Sequence, residues 1–375
     1  MKILVITYEY PPVGGGGGRI AADLCRVLAR RGHTLRVLTS RVRSLPAQET
    51  RDGVAVLRRF AFRRWADRCT IPQMAGYVLA HLPPACALAA RWRPDVLHAH
   101  FAVPSGAVAL PAAWLTRTPY VLTAHLGDVP GGVPDQTDQA FRWIKPLTVP
   151  IWTRAAAVTA VSDFTRDLAV AAYGVPVETI PNGVELARVI PSPEQPHEPS
   201  QLVWVGRCNA QKNLAFLAEW LNRVRDCAWH LHLVGDGDQR PGLATRLRDL
   251  GLAERVTFHG WLHEDQINGV LRRSDILLLP SLSEGLSLVG INSLAHGLAV
   301  VASRIPGNSD LVRPGQNGYL CPLDDADSFE RALRSLLTDT EHLRRMKCAS
   351  RTHAQAFDLE RIAQQYERVY ERVRR

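Results

Sequence analysis

No stretch of the 375 residues approaches the ~20 consecutive apolar residues that a membrane-spanning helix needs. The opening MKILVITYEY has one Lys before a short β-type run that meets Pro11-Pro12, so it does not read as a secretory signal. The seven Cys (Cys25, Cys69, Cys86, Cys208, Cys227, Cys321 and Cys348) are odd in number and never spaced as CxxC, and several lie in apolar runs. That pattern excludes a disulfide frame and a zinc site and leaves buried thiols in a reducing compartment. Helix-turn-helix, zinc and RNA-motif signatures are missing, so no nucleic acid is expected as a partner. The expected location is the cytoplasm, with association at the inner face of a membrane as a further option.

What is present is the composition of a globular protein, 46% hydrophobic and 22% charged, on a chain long enough for two domains. The net charge of +9 is one-sided: residues 1–190 carry 22 Lys/Arg against 13 Asp/Glu, whereas residues 191–375 carry 23 of each. Such a field suits an anionic partner or serves solubility.

Apolar runs of strand length alternate with helical patterns. Lys2–Thr7, Leu35–Thr39, Asp95–His98, Tyr120–Thr123, Ala157–Val161 and Glu178–Ile180 read as strands, and Ile20–Arg31 reads as a helix ended by Gly32. After the proline-rich stretch Arg188–Ser200 the pattern restarts. Gln201–Val205, Trp229–Val234, Val256–His259, Ile276–Leu279 and Ala299–Ala302 read as strands, with a helix at Lys212–Val224. Alternation of this kind predicts parallel sheets covered by helices. The expected domains are 1–187 and 188–357, and the amphipathic stretch 358–375 forms a last helix that packs back on the first domain. Ligands of such folds bind at the carboxyl edges of the strands.

The loops at those edges carry the candidate chemistry. Gly14–Gly18, between the first strand and helix, is a run of five glycines; Gly15, Gly16 and Gly17 let the backbone approach a phosphate at a helix N-terminus, and Arg19 adds a cation. The loop lacks the Lys of a P-loop, and Leu38-Thr39-Ser40-Arg41 offers no acidic ribose partner, which argues against a dinucleotide fingerprint. Arg207 and Lys212 stand five apart beside a helix start, where two cations can grip a diphosphate. Asp236-Gly237-Asp238 reads as a tight turn, with no metal expected. Glu284 falls at a strand-to-helix turn, and the backbone of Gly285, Leu286, Ser287 and Leu288 opens the next helix. His98 and His100 end a strand and read as acceptor-site or structural residues. Residues 58–93 flank an apolar middle with arginines and aromatics, as a core helix or as a surface for an amphipathic acceptor.

Together these segments are similar to the retaining glycosyltransferases of the GT-B fold, specifically the family 4 group, over nearly the whole chain. The shared segments are PPVGGGGG, Thr123-Ala-His125-Leu-Gly127-Asp128, Pro181-Asn182-Gly183-Val184-Glu185, Val205 to Asn213, Val256 to Gly260 and the stretch that starts at Glu284. The resemblance implies an α/β chain with two Rossmann-like, doubly wound parallel-sheet domains facing a central cleft. It also implies a hexosyltransferase that moves a sugar from a nucleotide-sugar donor, UDP-sugar preferred, to a hydroxyl acceptor. That acceptor is anionic or lipid-linked if the charge excess serves it, and peripheral membrane contact would follow the same field. Neither cofactor nor metal is implied. His125 lies at the reaction centre, Arg207 and Lys212 bind the diphosphate, Glu284 meets the transferred sugar and His259 lies near the nucleobase. His100, Asp128 and Arg19 belong to the acceptor side. Two positions depart from the family signature: Asn292 stands for its second Glu, and Ser287 for a Gly. Asn can still hydrogen-bond a ribose, without charge assistance. The rival readings are an epimerase or phosphorylase on the same fold, an NAD-dependent dehydrogenase, and a non-catalytic relative that only binds.

Overall fold

In the first of two compact units, Met1–Gly183 with Leu359–Arg375, the strands are β1 (Lys2–Thr7), β2 (Thr34–Arg41), β3 (Gln48–Arg51), β4 (Val54–Phe60), β5 (Val96–His100), β6 (Tyr120–Ala124), β7 (Ala157–Ala160) and β8 (Glu178–Thr179). The computed structural model describes residues 1–42, 44–61, 70–132 and 134–374. The sheet runs β3-β4-β2-β1-β5-β6-β7-β8, parallel except for the antiparallel edge pair β3–β4. Its central strands are buried on both faces, as a sheet covered by helices on both sides requires. One layer holds the helices Ile71–Trp92 and Ala107–Thr116, around Tyr77, Ala85, Val108 and Ala112. The other holds the helix Gly16–Arg30 and the last helix, Leu359–Arg374. Leu359, Ile362, Tyr366, Val369 and Tyr370 recur at helical spacing and are all buried there. Arg30 and Arg31 pair with Glu360 and Glu367 across that contact, at 2.8–3.5 Å.

The second unit, Val184–Asp358, has β9 (Ser200–Val205), β10 (Trp229–Val234), β11 (Val256–Gly260), β12 (Ile276–Leu279), β13 (Ala299–Ser303) and β14 (Gly318–Cys321), all parallel. Their order is β11-β10-β9-β12-β13-β14. The chain works outward from β9 in one direction and then restarts at β12 in the other, which is the doubly wound topology with its switch point between β9 and β12. In the first sheet the same reversal falls between β1 and β5. The second sheet's faces are packed by two clusters, one around Trp204, Trp220 and Phe329, the other around Val203, Leu277, Ile291 and Val300.

Several elements differ from expectation. The helix after β1 begins at Gly16, so three of the five glycines form its first turn and not a loop. Strands β3, β4 and β14 carry no counterpart among the sequence-predicted strands. The chain leaves the first unit at Gly183, so the proline-rich stretch 188–200 lies within the second. It is tied down there: the Ser192 N–H donates to His296 O at 2.8 Å, and the His197 N–H to the buried Asp275 carboxylate at 3.1 Å. Of the stretch 58–93, residues 62–69, with Cys69, lie outside the described residues. The six other cysteines are free thiols; Cys25, Cys208 and Cys321 are buried. No described helix is long and apolar enough to cross a membrane.

Candidate functional site

In the first unit the candidate residues cluster on the loops after β1, β5 and β6. The Gly14–Gly18 run is held from two sides. Arg58, fully buried, donates to Tyr10 O and Pro11 O at 3.3 and 2.6 Å and pairs with Glu49 at 2.7 Å, which fixes the backbone entering the loop. Glu9 accepts from the Gly15 N–H at 3.0 Å. Three glycines are dictated by packing: a Cβ on Gly14 (φ +102°) would lie 2.5 Å from Glu9, one on Gly17 2.4 Å from Phe101, and one on Gly18 3.0 Å from the Glu9 backbone. Gly15 and Gly16 have nothing within 4 Å, so the fold itself does not ask for glycine at either. Arg19 pairs with Asp23 at 2.8 Å, one turn along the helix, and Arg26 pairs with the same carboxylate at 2.9 Å, so one negative charge is shared between two guanidinium groups.

The residues after β5 and β6 form a buried histidine cluster. His98 Nδ1 lies 2.8 Å from the Tyr370 hydroxyl and Nε2 2.7 Å from Thr123 Oγ1, hydroxyls that suit either tautomer of the neutral ring. Both ring nitrogens are occupied, so His98 is structural. His100 is fully buried with neither nitrogen partnered, and its ring lies 4.2 Å from His98 and 5.8 Å from His125. His125 stacks on Phe101 at 4.2 Å and its Nε2 is unpartnered. Asp128 braces this corner: Oδ2 accepts from the His125 N–H at 2.8 Å and Oδ1 from the Ala102 N–H at 3.0 Å. Burial holds His98 down at about 3 and His125 at about 4, and puts His100 well below its ordinary value, with the neighbouring histidines adding to it for His98 and His100. All three are neutral near pH 7. Burial also lifts Asp128 to about 7, against the pull of its three backbone donors.

In the second unit the loops after β9 and β12 meet across the switch point. The Leu282 N–H donates to Gln211 O at 2.8 Å and Gln211 Nε2 to Ser283 O at 2.8 Å. The Lys212 ammonium pairs with the Glu284 carboxylate, which is buried. Arg207 is half-buried on the same loop as Lys212. Gly307 packs under the Glu284 carbonyl so tightly that a Cβ there would lie 1.9 Å from the oxygen. Ser287 caps the helix Leu288–His296, accepting from the Gly290 N–H at 3.2 Å, so the first N–H groups of that helix open beside Glu284 and Gly285. Leu286 is buried, while Gly285, Leu288 and Asn292 are half-buried. Asn292 lies one turn into that helix.

His259 lies one residue before the end of the edge strand β11, two strands from the switch point, where its Nε2 meets His232 Nδ1 at 3.1 Å. Asp236 accepts from the Gly237 N–H and from Arg240, both at 2.8 Å, and Gly235 and Gly237 have φ of +125° and +154°, the geometry of a turn. Sequence reasoning missed Phe101, Glu9 and Tyr370. Only Phe101, directly after His100, had a local signal.

Residues 14–188 match the Glycosyltransferase Family 4 model, and residues 199–339 match that of the Glycosyl transferases group 1. The glycogen synthase of Mycobacterium tuberculosis is 29% identical, with 99% of this chain and 94% of that protein covered. The N-acetyl-alpha-D-glucosaminyl L-malate synthase of Bacillus anthracis is 27% identical, covering 99% and 97%. Among solved structures, sucrose-phosphate synthase from Thermosynechococcus elongatus has a TM-score of 0.83 at 22% identity, covering 99% of this chain and 98% of that one. An Anabaena protein in complex with UDP and glucose has a TM-score of 0.75 at 20% identity, with 98% of each chain covered. Two doubly wound units, the paired Lys212 and Glu284 at the switch point of the second, and these matches over both halves lead to one statement: the chain is a glycosyltransferase of the GT-B fold and belongs to family 4, the group 1 glycosyl transferases.

Proposed function

We propose that the enzyme transfers a hexosyl group from a nucleoside-diphosphate sugar, a UDP-sugar in preference to a GDP-sugar, to an acceptor hydroxyl, with retention at the anomeric carbon and no requirement for a metal ion. The observation that carries the reading is the Lys212–Glu284 pair, one charge from each loop flanking the switch point, beside the N-terminus of the Leu288 helix. In this reading the bond from the anomeric carbon to the diphosphate oxygen breaks, and its electron pair leaves with the diphosphate. Arg207, Lys212 and helix N–H groups stabilise that charge as preorganised donors. The acceptor oxygen bonds to the same face of the carbon and its proton passes to the departing phosphate. Glu284 accepts from sugar hydroxyls, and neutral His125 orients the sugar through its unpartnered Nε2. Asn292 binds the ribose. UDP in the Anabaena neighbour supports the choice of nucleotide. The positive excess of residues 1–190 supports an anionic or lipid-linked acceptor.

A thermal-shift titration with UDP, GDP and ADP, each with and without EDTA, tests the reading. A ligand at 100 times its dissociation constant adds about 2.7 kcal/mol. Stabilisation by UDP unchanged by EDTA is expected; EDTA-sensitive binding, or stabilisation by none of the three, refutes the assignment. NMR of the product's anomeric proton tests retention. Turnover of the nucleotide sugar without acceptor would favour an epimerase.

A further inference from the structure

The helix Ala107–Thr116 (AVALPAAWLT) is apolar around its whole circumference, yet only one face of it is buried, by Val108, Ala109, Ala112 and Ala113. An all-apolar helix is ordinarily enclosed on every side. Here Trp114 is 79% exposed and Leu115 61%, and Leu147, on the neighbouring helix Pro134–Thr153, is 78% exposed. Between these helices and the end of the last one lies a hollow of about 770 Å³, walled by Leu110, Trp114, Pro150 and Val373. Leu147 lies one helical turn from Pro150 and so shares its face. The fold gains nothing from this exposure, and adjoining exposed apolar side chains of this size mark an interaction surface.

The charges at the rim say what covers it. Arg117, Arg154 and Arg374 line the hollow, and among the described residues no carboxylate does. Arg374 pairs with Asp95 at 3.3 Å. Among the described residues neither Arg117 nor Arg154 has an ion-pair partner, and both are exposed. A second copy of this surface, brought face to face, would set arginine against arginine. A protruding Trp and two Leu ringed by arginines match instead the boundary of an anionic bilayer, where the ring and aliphatic side chains enter the headgroup layer and the guanidinium groups meet lipid phosphates.

The surface is also separate from the chemistry. It includes Thr118 and Pro119, which lead into β6, whereas His125 and Asp128 follow the other end of that strand. We propose that the Trp114–Leu115–Leu147 surface, with Arg117 and Arg154, docks the first unit on an anionic membrane. This inference does not rest on the donor, stereochemistry or metal requirement proposed above.

The test is sedimentation of the full chain with phosphatidylglycerol/phosphatidylcholine vesicles and with phosphatidylcholine vesicles, at physiological ionic strength, beside a transferase assay on soluble substrates. The protein is expected to sediment with the anionic vesicles only. Arg117→Gln/Arg154→Gln should lower the affinity roughly 30-fold, at about fivefold per arginine. Trp114→Ser/Leu147→Ser should abolish binding, and both variants should keep basal activity. Arg51→Gln/Arg59→Gln removes the same charge from exposed positions elsewhere in the unit and should bind as the parent does. Three outcomes overturn the proposal: no binding to anionic vesicles, an equal loss in the Arg51/Arg59 control, or full binding by Trp114→Ser/Leu147→Ser. A solution dimer that dissociates in the Trp114/Leu147 variant would assign the surface to a second copy and overturn it as well. Activity lost with vesicle binding intact would count against the catalytic reading alone.

Discussion

Gly16→Ala separates what the glycine run does for the fold from what it does for a ligand. Gly16 is the first residue of the helix Gly16–Arg30, and a Cβ built on it meets nothing within 4 Å. Ala in place of Gly at a helical position stabilises by about 0.5–1 kcal/mol. For a unit of this size that corresponds to a rise in Tm of about 1–3 °C. The methyl group projects into open space beside the helix N-terminus, where a phosphate or acceptor would approach the backbone. Moving a bound group there by about 1 Å costs roughly 100-fold in rate. The expected variant is therefore slightly more stable and about 10- to 100-fold lower in kcat/KM. Gly14→Ala is the contrasting control: φ of +102° and a Cβ 2.5 Å from Glu9 make it destabilising whatever binds. Differential scanning fluorimetry and initial rates on the same preparations decide the matter. If Gly16→Ala raises Tm and leaves kcat/KM untouched, the glycine run does not approach a substrate and its role is confined to packing.

Four further predictions follow from the same geometry. Gly307→Ala should destabilise the second unit by about 1–3 kcal/mol or more and displace Glu284, because its Cβ would lie 1.9 Å from the Glu284 carbonyl; a parent-like urea midpoint and rate would refute the close packing. Glu284→Gln should keep the fold and lower kcat at least 100-fold, read by single-turnover kinetics. Asn292→Glu should tighten UDP binding about tenfold by adding charge to the ribose contacts, and calorimetry showing unchanged affinity would remove Asn292 from the donor site. The first unit should lose stability as pH falls from about 6.5 towards 4. His81, His98, His100 and His125 are depressed in the folded state, so the unfolded chain binds up to four more protons in that window. Asp128, raised to about 7, takes up one in the folded state and opposes them. The net of three protons is about 4.1 kcal/mol per pH unit as an upper figure, and flat urea midpoints over this range would contradict it.

Strands β1, β10 and β12 span the residues expected of them: β1 and β12 carry continuous apolar runs, and β10 alternates buried Trp229, Leu231 and Leu233 with His230 and His232. The elements missed share a cause, residues whose usual role their environment overrides. Arg58 in β4 reads as a surface cation, yet it is fully buried because Glu49 and two backbone carbonyls satisfy its guanidinium. The helix Ile71–Trp92, by contrast, answers to the core-helix reading of the stretch 58–93 although Pro83 and Pro84, ordinarily breakers, lie inside it. β14 opens on Gly318, required because a Cβ there would sit 2.0 Å from Val300 O, a constraint that only the sheet reveals. At the candidate site the sequence could place His125 and Lys212 on loops. It could not show that both nitrogens of His98 are taken by Tyr370, from a helix 272 residues away, and by Thr123, or that those of His100 are free of any partner.

The topology explains why so short a set of loops holds the candidates. Each sheet reverses its strand order once, and only there do two adjacent loops diverge to opposite faces and leave room for a ligand. Gly15, Gly16, Gly17 and Arg19 follow β1, and His100 ends β5, the two strands flanking the first reversal. Arg207 and Lys212 follow β9, and Glu284 to Leu288 with Asn292 follow β12, flanking the second. His125 and Asp128 stand one strand further out, and reach back through Asp128 Oδ1 to the Ala102 N–H on the loop after β5. His259 alone has no such tie: β11 is the sheet edge, and its nearest ring partner is His232 on β10. A group bound at the switch point must extend across β10 to reach it. A diphosphate cannot span that width, whereas a diphosphate with its ribose and base can. His259→Ala should therefore weaken UDP binding while leaving inorganic pyrophosphate unaffected. Equal losses for both would place the base elsewhere and leave His259 with only its contact to His232.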